Sequence, residues 1–295
     1  MAAASLACRK LGQAGRAVLR RSVGSVPEQA AGTAAVDKFN YAEHMAGIHS
    51  SGPAFGARRL VPLAGRAQHS VFDKDFVARL MAFKYRNLWK GQVLMKDAVS
   101  LSLYTTLLQN LRPGTIFDLG TCGGGSALWF ADQARAIGLD ARVITVDLQD
   151  TRSERCKAEM ARAGNIEVVH GNLYDGANLL RRAMESGMQM PKPWLIAEDC
   201  HVEADVILDA FKGAGLAVGD YIVFEDTHPA HPDDAGMDAL DMANYKCGDF
   251  APAKLENVER AIQAAGDEFA LDAGIQDLYG YNGSTFVNSV FVKQR

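Results

Sequence analysis

The 295-residue sequence lacks several features that would place it in a specialised class of protein. No apolar run reaches the roughly 18 residues that a membrane-spanning helix needs. The formal net charge is -4, which argues against nucleic-acid binding because such proteins usually present a basic face. The five cysteines are widely spaced and form no CxxC pair. This cysteine usage argues against a disulfide framework or a zinc site and fits a reducing compartment.

Acidic residues are missing from the first 27 positions, and Glu28 is the first one. The basic residues of this stretch lie among Ala, Ser and Leu; they are Arg9, Lys10, Arg16, Arg20 and Arg21. An Arg-rich, acid-poor leader is typical of a mitochondrial transit peptide, and its broken apolar runs do not suit a secretory signal. We expect residues 1–27 to direct the protein to the mitochondrial matrix. The alternative is a basic tail without a targeting role, which would leave the protein in the cytoplasm.

The next 84 positions fall into two parts. Residues 28–72 are rich in Ala, Gly, Ser and His with weak periodicity, so we expect them to be poorly ordered or to wrap the surface. Residues 73–111 have apolar residues at helical spacing, and Trp89-Lys90-Gly91 interrupts the two helices that this spacing predicts.

From Thr115 onward, short apolar runs alternate with helix-length segments. The predicted strands are 115–119, 142–147, 166–170, 194–198 and 220–225, with a terminal strand at 286–293. The predicted helices are 125–137, 153–163, 175–186, 203–213 and 254–265. Such alternation is typical of βαβ units around a buried parallel sheet, which predicts a Rossmann-like doubly wound α/β fold within one domain over 73–295.

A glycine-rich loop, residues 118–126, follows the first long strand and opens a helix. Its glycines allow a sharp turn and a close approach to a ligand, and the helix offers free N–H groups. Neither GxGxxG nor a P-loop is present. Asp118 would repel a pyrophosphate but suits a cationic amino-acid group. Asp147 ends the second strand, where an acid typically binds ribose hydroxyls. The alternative is an α/β fold whose loop has lost its ligand.

Acids and histidines close the fourth and fifth predicted strands, as Glu198-Asp199-Cys200-His201 and Glu225-Asp226-Thr227-His228. Up to four carboxylates at one sheet edge would repel each other unless a cation relieves the field. Hard oxygen ligands favour Mg²⁺, with Ca²⁺ or Mn²⁺ as alternatives. Some of these acids could instead cap the following helices.

The histidines next to these acids have several candidate roles. His201 and His228 are candidate proton acceptors, metal ligands or surface groups. We expect His231 to lie in a lid or an exposed turn.

These motifs together resemble the class I S-adenosylmethionine-dependent methyltransferases, and within them the cephalosporin hydroxylase / rhamnosyl O-methyltransferase family. Lys90-Gly91, Lys96-Asp97, the 118–126 loop, Val146-Asp147 and the two acidic segments run in one order over about residues 80–292. The resemblance implies a mostly parallel sheet with an antiparallel C-terminal strand.

The resemblance also assigns residues to ligands. It implies that S-adenosylmethionine contacts Asp118, Gly120, Thr121, Gly123, Gly124, Ser126 and Asp147. It implies that Asp199, Glu225 and Asp226 are the metal ligands.

The hypothesis is therefore a Mg²⁺-assisted transfer of a methyl group to a hydroxyl of a small molecule or glycoside. One rival is a metal-dependent hydroxylase, as the family's name suggests, although its two histidines and a carboxylate would have to be assembled from loops. Another is a non-catalytic S-adenosylmethionine-binding protein of the organelle. Residues 227–252 depart from the bacterial relatives, so the acceptor is left open, as is a homo-oligomeric state. Tyr279, Tyr281 and Asn282 could rim a pocket or form a hairpin turn.

Overall fold

The computed structural model describes residues 59–230 and 253–295. The predicted leader, most of the segment 28–72 and His231 lie outside these residues. The strands are β1 (Leu60–Val61), β2 (Leu88–Trp89), β3 (Gln92–Val93), β4 (Thr115–Leu119), β5 (Arg142–Asp147), β6 (Ile166–His170), β7 (Trp194–Glu198), β8 (Tyr221–Phe224), β9 (Phe269–Asp272) and β10 (Val290–Lys293). The helices are α1 (Lys74–Lys84), α2 (Ala98–Leu111), α3 (Gly125–Ala136), α4 (Glu154–Ala163), α5 (Gly176–Glu185), α6 (Ala204–Gly213), α7 (Ala253–Ala264) and α8 (Ala273–Gln276).

Eight strands form one sheet in the order β1-β9-β10-β8-β7-β4-β5-β6. The strands from β8 to β6 pair in parallel, whereas β10, β9 and β1 pair antiparallel. The chain runs from β4 outward to β5 and β6, and then returns to the other side of β4 for β7 and β8. This reversal makes the carboxyl ends of β4 and β7 the switch point at which doubly wound sheets bind ligands.

The predicted fold class is confirmed, and the first four long strands have the predicted bounds. The predicted terminal strand 286–293 begins only at Val290, because Asn288 has φ +49° and cannot continue an extended backbone. The strand β9 was not predicted from the sequence. The β2–β3 hairpin was predicted only as an interruption between two helices.

Both faces of the sheet are covered by apolar side chains. Phe117 of β4 packs edge-to-face on Trp194 and Phe211, with ring centroids 5.1 and 4.9 Å away. On the other face, Tyr104 packs on Phe130 at 5.1 Å. Every residue of β4 is buried, as expected for a strand covered on both sides. Within the described ranges, we find no helix with the length and apolar character that crossing a bilayer requires.

Residues 59–72 are fixed to the C-terminal loop rather than to the ligand crevice. The Arg66 guanidinium binds Asp277 at 2.7 Å and Asn282 Oδ1 at 3.0 Å. The Asn282 amide donates to the carbonyls of Ala67 and His69 at 3.1 and 2.9 Å. The ring of Tyr281 stacks on His69 with centroids 4.6 Å apart. These contacts give the polar residues of the C-terminal loop a structural role.

Asp220 provides a test of the fold away from the ligand crevice. Its buried carboxylate accepts hydrogen bonds from the backbone N–H groups of Trp194 and Ala217, both at 2.7 Å, and binds Lys192. We expect Asp220→Ala to lower the free energy of unfolding by about 2–4 kcal/mol, because the buried N–H of Trp194 and the partly buried N–H of Ala217 lose their acceptor and Lys192 loses its ion-pair partner. Urea denaturation measures this loss. Asp209→Ala, at an exposed position of α6, is the matched control and should cost less than about 0.5 kcal/mol.

Candidate active site

The glycine-rich loop lies in backbone contact with the next strand of the sheet. Gly120 has φ +105°, and a Cβ at this position would lie 2.5 Å from the carbonyl oxygen of Asp199. Only glycine permits this approach. The loop after β4 and the acid after β7 are therefore held side by side.

The other glycines of the loop differ in what they face. A Cβ on Gly125 would lie 2.1 Å from the carbonyl oxygen of Val93, so Gly125 seats the β2–β3 hairpin on the start of α3. A Cβ on Gly124 would meet Cys156 and Met160 of α4. A Cβ on Gly123 would meet nothing within 4 Å. Of the three adjacent glycines, Gly123 is therefore the one open to a ligand.

Asp118, predicted near the cationic part of the cofactor, is buried beneath the loop. Its Oδ2 accepts hydrogen bonds from the hydroxyls of Ser126 at 2.8 Å and Thr145 at 3.0 Å. Thr145 also bonds the hydroxyl of Thr121 at 2.6 Å. Burial raises the pKa of Asp118 to about 6. In the structure Asp118, Thr121 and Ser126 fix the loop to the sheet, and their contacts with a cofactor stay predictions.

Asp147 lies at the end of β5, beside the same loop. Its two carboxylate oxygens accept the backbone N–H groups of Cys122 at 2.9 Å and Gln149 at 3.1 Å. Each carboxylate oxygen can accept a further bond. Asp147 therefore holds the loop and keeps acceptor capacity, and its contact with a ribose hydroxyl stays a prediction.

The acids after β7 and β8 meet two lysines that the sequence analysis did not place in the site. Lys84 Nζ lies 2.9 and 2.8 Å from the two oxygens of Asp226 and 4.0 Å from Asp199. Lys96 Nζ bridges Asp199 at 3.0 Å and Glu225 at 2.8 Å. All five side chains are largely buried, so each charge is balanced inside the protein rather than by water.

The charges of this cluster follow from burial and from these ion pairs. Burial by itself would lower the pKa of Lys84, but Asp199 and Asp226 outweigh it, and the pKa is raised. Burial opposes ionisation of Asp199 too, yet the two lysines lower its pKa. At Glu225 burial raises the pKa by more than the Lys96 ammonium group lowers it, so the pKa is raised. The Tyr104 hydroxyl donates to Glu225 Oε1 at 2.7 Å.

Two of the predicted metal ligands come together with a predicted proton acceptor. One ligand atom each from Asp199, His201 and Asp226 lies within 4.8 Å of the others. His201 and Asp226 have φ values of +56° and +58°, conformations that are costly for residues other than glycine and are often found at functional sites. Burial lowers the pKa of His201, which favours a neutral imidazole. Glu225 faces Lys96 and Tyr104 instead, so its role as a metal ligand stays a prediction.

His228 and Glu198 each contact a residue outside this cluster. The Nδ1 atom of His228 accepts the backbone N–H of Ala230 at 3.0 Å, so in the neutral ring the proton is on Nε2. Glu198 pairs with Lys254 at 2.8 Å and accepts the backbone N–H of Cys200 at 3.0 Å. His201 is thus better placed than His228 to accept a proton at the acid cluster.

One sequence signal could have revealed Lys84. Val77, Met81 and Lys84 share the buried face of α1, so a lysine continues an apolar stripe. A basic residue at such a position requires a buried acid as its partner. Lys96 lies outside any comparable stripe. Lys254 lies on one, with Val258 and Ala261 on the same buried face of α7, but only the fold shows the partners of these two lysines.

Sheet order, a glycine loop at the switch point and an acid closing β5 define the class I S-adenosylmethionine-dependent methyltransferase fold. The model of the family "Rhamnosyl O-methyltransferase/CmcI" matches residues 81–293, and the chain belongs to this family. The predicted enzyme class, an S-adenosylmethionine-dependent O-methyltransferase, is confirmed at the level of the family.

The individual relatives share a low sequence identity with this chain. A rhamnosyl O-methyltransferase of Mycobacterium tuberculosis (strain ATCC 25618 / H37Rv) is 24% identical over 204 residues, which cover 67% of this chain and 73% of the relative. A structure of CmcI described with Mg and SAM has a TM-score of 0.52 at 23% identity, over 78% of this chain and 82% of CmcI. An apo structure of CmcI has a TM-score of 0.53 at 21% identity, over 88% and 98% of the two chains. These structures show the shared fold.

Gly125 gives a prediction about the loop's packing. We expect Gly125→Ala to lower the free energy of unfolding by about 1–3 kcal/mol, because the new methyl group collides with the Val93 backbone rather than with a flexible side chain. Chemical denaturation measures the change. Gly123→Ala is the matched control, since its methyl group enters open space and should change stability by less than about 0.5 kcal/mol. Equal losses in the two variants would contradict this assignment.

Asp118 gives a prediction about pH. The folded protein keeps the Asp118 proton up to about pH 6, whereas the unfolded chain loses it near the ordinary pKa of 3.8. Between these values the folded state binds more protons, so the stability contributed by Asp118 falls as pH rises. Asp118→Asn has no such proton. From about pH 4 to about pH 7, we expect the stability of the wild type relative to Asp118→Asn to fall by about 2 kcal/mol.

The measurement is urea denaturation of both proteins across this pH range. A difference that does not change with pH would show that Asp118 is ionised throughout.

Proposed function

We propose that this protein transfers a methyl group from S-adenosylmethionine to a hydroxyl oxygen of a small molecule or glycoside, with assistance from Mg²⁺. The observation that carries this proposal is the contact between Gly120 and the Asp199 carbonyl. Because of that contact, a cofactor on the glycine loop and an acceptor at the acid cluster would be neighbours. Positioning two reactants in this way supplies a large part of the acceleration in transfer reactions.

The residues of the loop fit the cofactor. Gly123 leaves open space at the start of α3, whose first N–H groups can bind polar ligand atoms. Asp147 retains acceptor capacity for ribose hydroxyls. When bound, S-adenosylmethionine supplies an electrophilic methyl group on a cationic sulfur. The loop's own tasks are to hold this nucleoside and to keep it against β7.

The acid cluster fits a divalent ion. The ammonium group of Lys84 already lies between Asp226 and Asp199, which supports a cation at this position. Asp199 and Asp226 would hold the ion through hard oxygen atoms, with Glu225 as the predicted third ligand. When bound, Mg²⁺ lowers the pKa of a hydroxyl and makes it a better nucleophile. The CmcI structure described with Mg and SAM supports the same pair of cofactors.

The chain's own residues would carry out the remaining tasks. Lys96 holds Asp199 in place through an ion pair of 3.0 Å. His201, half-buried and favoured as a neutral ring, is the candidate acceptor of the hydroxyl proton. The rival hydroxylase is not favoured, because the metal-binding group found among the described residues contains one histidine rather than two.

Two finer points belong to the same proposal. The relatives named rhamnosyl O-methyltransferases support a sugar hydroxyl as acceptor, although their low identity leaves other small molecules open. The acid-free leader, residues 1–27, supports action in the mitochondrial matrix.

The decisive experiment titrates S-adenosylmethionine into the purified full chain and measures heat. We expect the wild type to bind, and Gly123→Ala to bind about tenfold more weakly or worse at unchanged stability, because its methyl group occupies the cofactor's space. In an assay that follows labelled methyl groups into a panel of sugar and phenol hydroxyls, Asp199→Ala should lose Mg²⁺-dependent turnover and still bind the cofactor.

Asp209→Ala is the matched control for the loss of an aspartate and should behave as the wild type. Absence of S-adenosylmethionine binding in the wild type at millimolar concentration would overturn the proposal. Full turnover of Asp199→Ala in the presence of a chelator would overturn only the part assigned to the metal.

A further inference from the structure

Lys84 occupies the position at which the proposed function requires a divalent ion. Its Nζ contacts both oxygens of Asp226, at 2.9 and 2.8 Å, and lies 4.0 Å from Asp199. An ion bound by Asp226 would therefore have to take at least one oxygen from this ammonium group. Ammonium and ion would also repel each other at such short range.

The Lys84 side chain is held in the interior of the protein, next to the acids. Its side chain is only 5% exposed, and it extends from the last residue of α1, on the same face as Val77 and Met81. Lys96, by contrast, bridges Asp199 and Glu225 and makes no ion pair with Asp226 among the described residues. Of the two lysines at the cluster, Lys84 is thus the one that competes for Asp226.

We infer that Lys84 is a built-in counter-ion that competes with the divalent ion for Asp226, and that it thereby sets the metal affinity of the site. In the absence of an ion, Lys84 balances the buried carboxylate and keeps the cluster folded. In its presence, the Lys84 ammonium group must release at least one oxygen of Asp226. This inference rests on the metal part of the proposed function.

The test compares Lys84→Met with the wild type, because methionine keeps much of the apolar stem and removes the charge. Mn²⁺ is titrated calorimetrically into the full chain without S-adenosylmethionine. We expect Lys84→Met to bind Mn²⁺ about tenfold more tightly, or better, because the charge that competes with the ion for Asp226 is gone.

The same substitution at Lys212, which pairs with Glu268 at 3.0 Å on another part of the surface, should leave Mn²⁺ affinity unchanged. Equal or weaker Mn²⁺ affinity in Lys84→Met, including absence of binding in both proteins, would overturn the inference.

A second readout is thermal unfolding with and without MgCl₂. Without the ion, we expect Lys84→Met to unfold at a lower temperature than the wild type, because the buried Asp226 has lost its ion pair with Lys84. With MgCl₂, its melting temperature should rise by more than that of the wild type. An equal rise in the two proteins would count against competition.

The inference can still be tested if Lys84→Met does not fold. Lys84→Gln keeps a donor for Asp226 and is the second variant to titrate. If neither variant folds alone, recovery of the fold by MnCl₂ supports the inference and its failure overturns it. S-adenosylmethionine is titrated into the same wild-type sample, so that failure of the methyltransferase proposal is seen separately.

Discussion

Two buried lysines make the candidate site possible. Lys84 and Lys96 place two ammonium groups among three carboxylates at the ends of β7 and β8. Burying so many acids together would be prohibitive without those charges, since removal of one partner of a buried pair typically costs about 3–5 kcal/mol. The helix α1 and the segment before α2 therefore belong to the site, although they precede the sheet in the sequence.

The second constraint is geometric and lies in the backbone. The ladder between β4 and β7 continues one residue beyond the end of β7, where the N–H of Asp199 donates to the carbonyl of Leu119 at 2.9 Å. The N–H of Glu225 likewise donates to the carbonyl of Glu198 at 2.9 Å. The acids are thus placed by the sheet itself, and elements of a scaffold hold groups more accurately than loops do. Because Gly120 packs against Asp199, the glycine-rich loop and the acid cluster are held next to each other.

The sequence predicted the parts that depend on local pattern. Short apolar runs bounded by turn residues predicted where β4 to β7 begin and end, because a strand in the interior of a parallel sheet is largely apolar. The strand β9 was missed, since Phe269–Asp272 is too short to show a period. The partners of Lys96 and Lys254 could not be predicted either, because ion pairs between residues more than 50 positions apart leave no local signal.

Asp118 has a structural role beside the one predicted for it. The acid before the glycine turn is predicted to lie near a cationic ligand, and in the fold it accepts hydrogen bonds from the hydroxyls of Ser126 and Thr145 beneath the loop. An acid is useful there because it accepts several bonds at once and so ties the start of α3 to β5. The same residue type at the same place thus serves to shape the loop, and a loop shaped in this way leaves Gly123 open to a ligand. A motif can therefore indicate a ligand through the scaffold it builds, as well as through the atoms that touch the ligand.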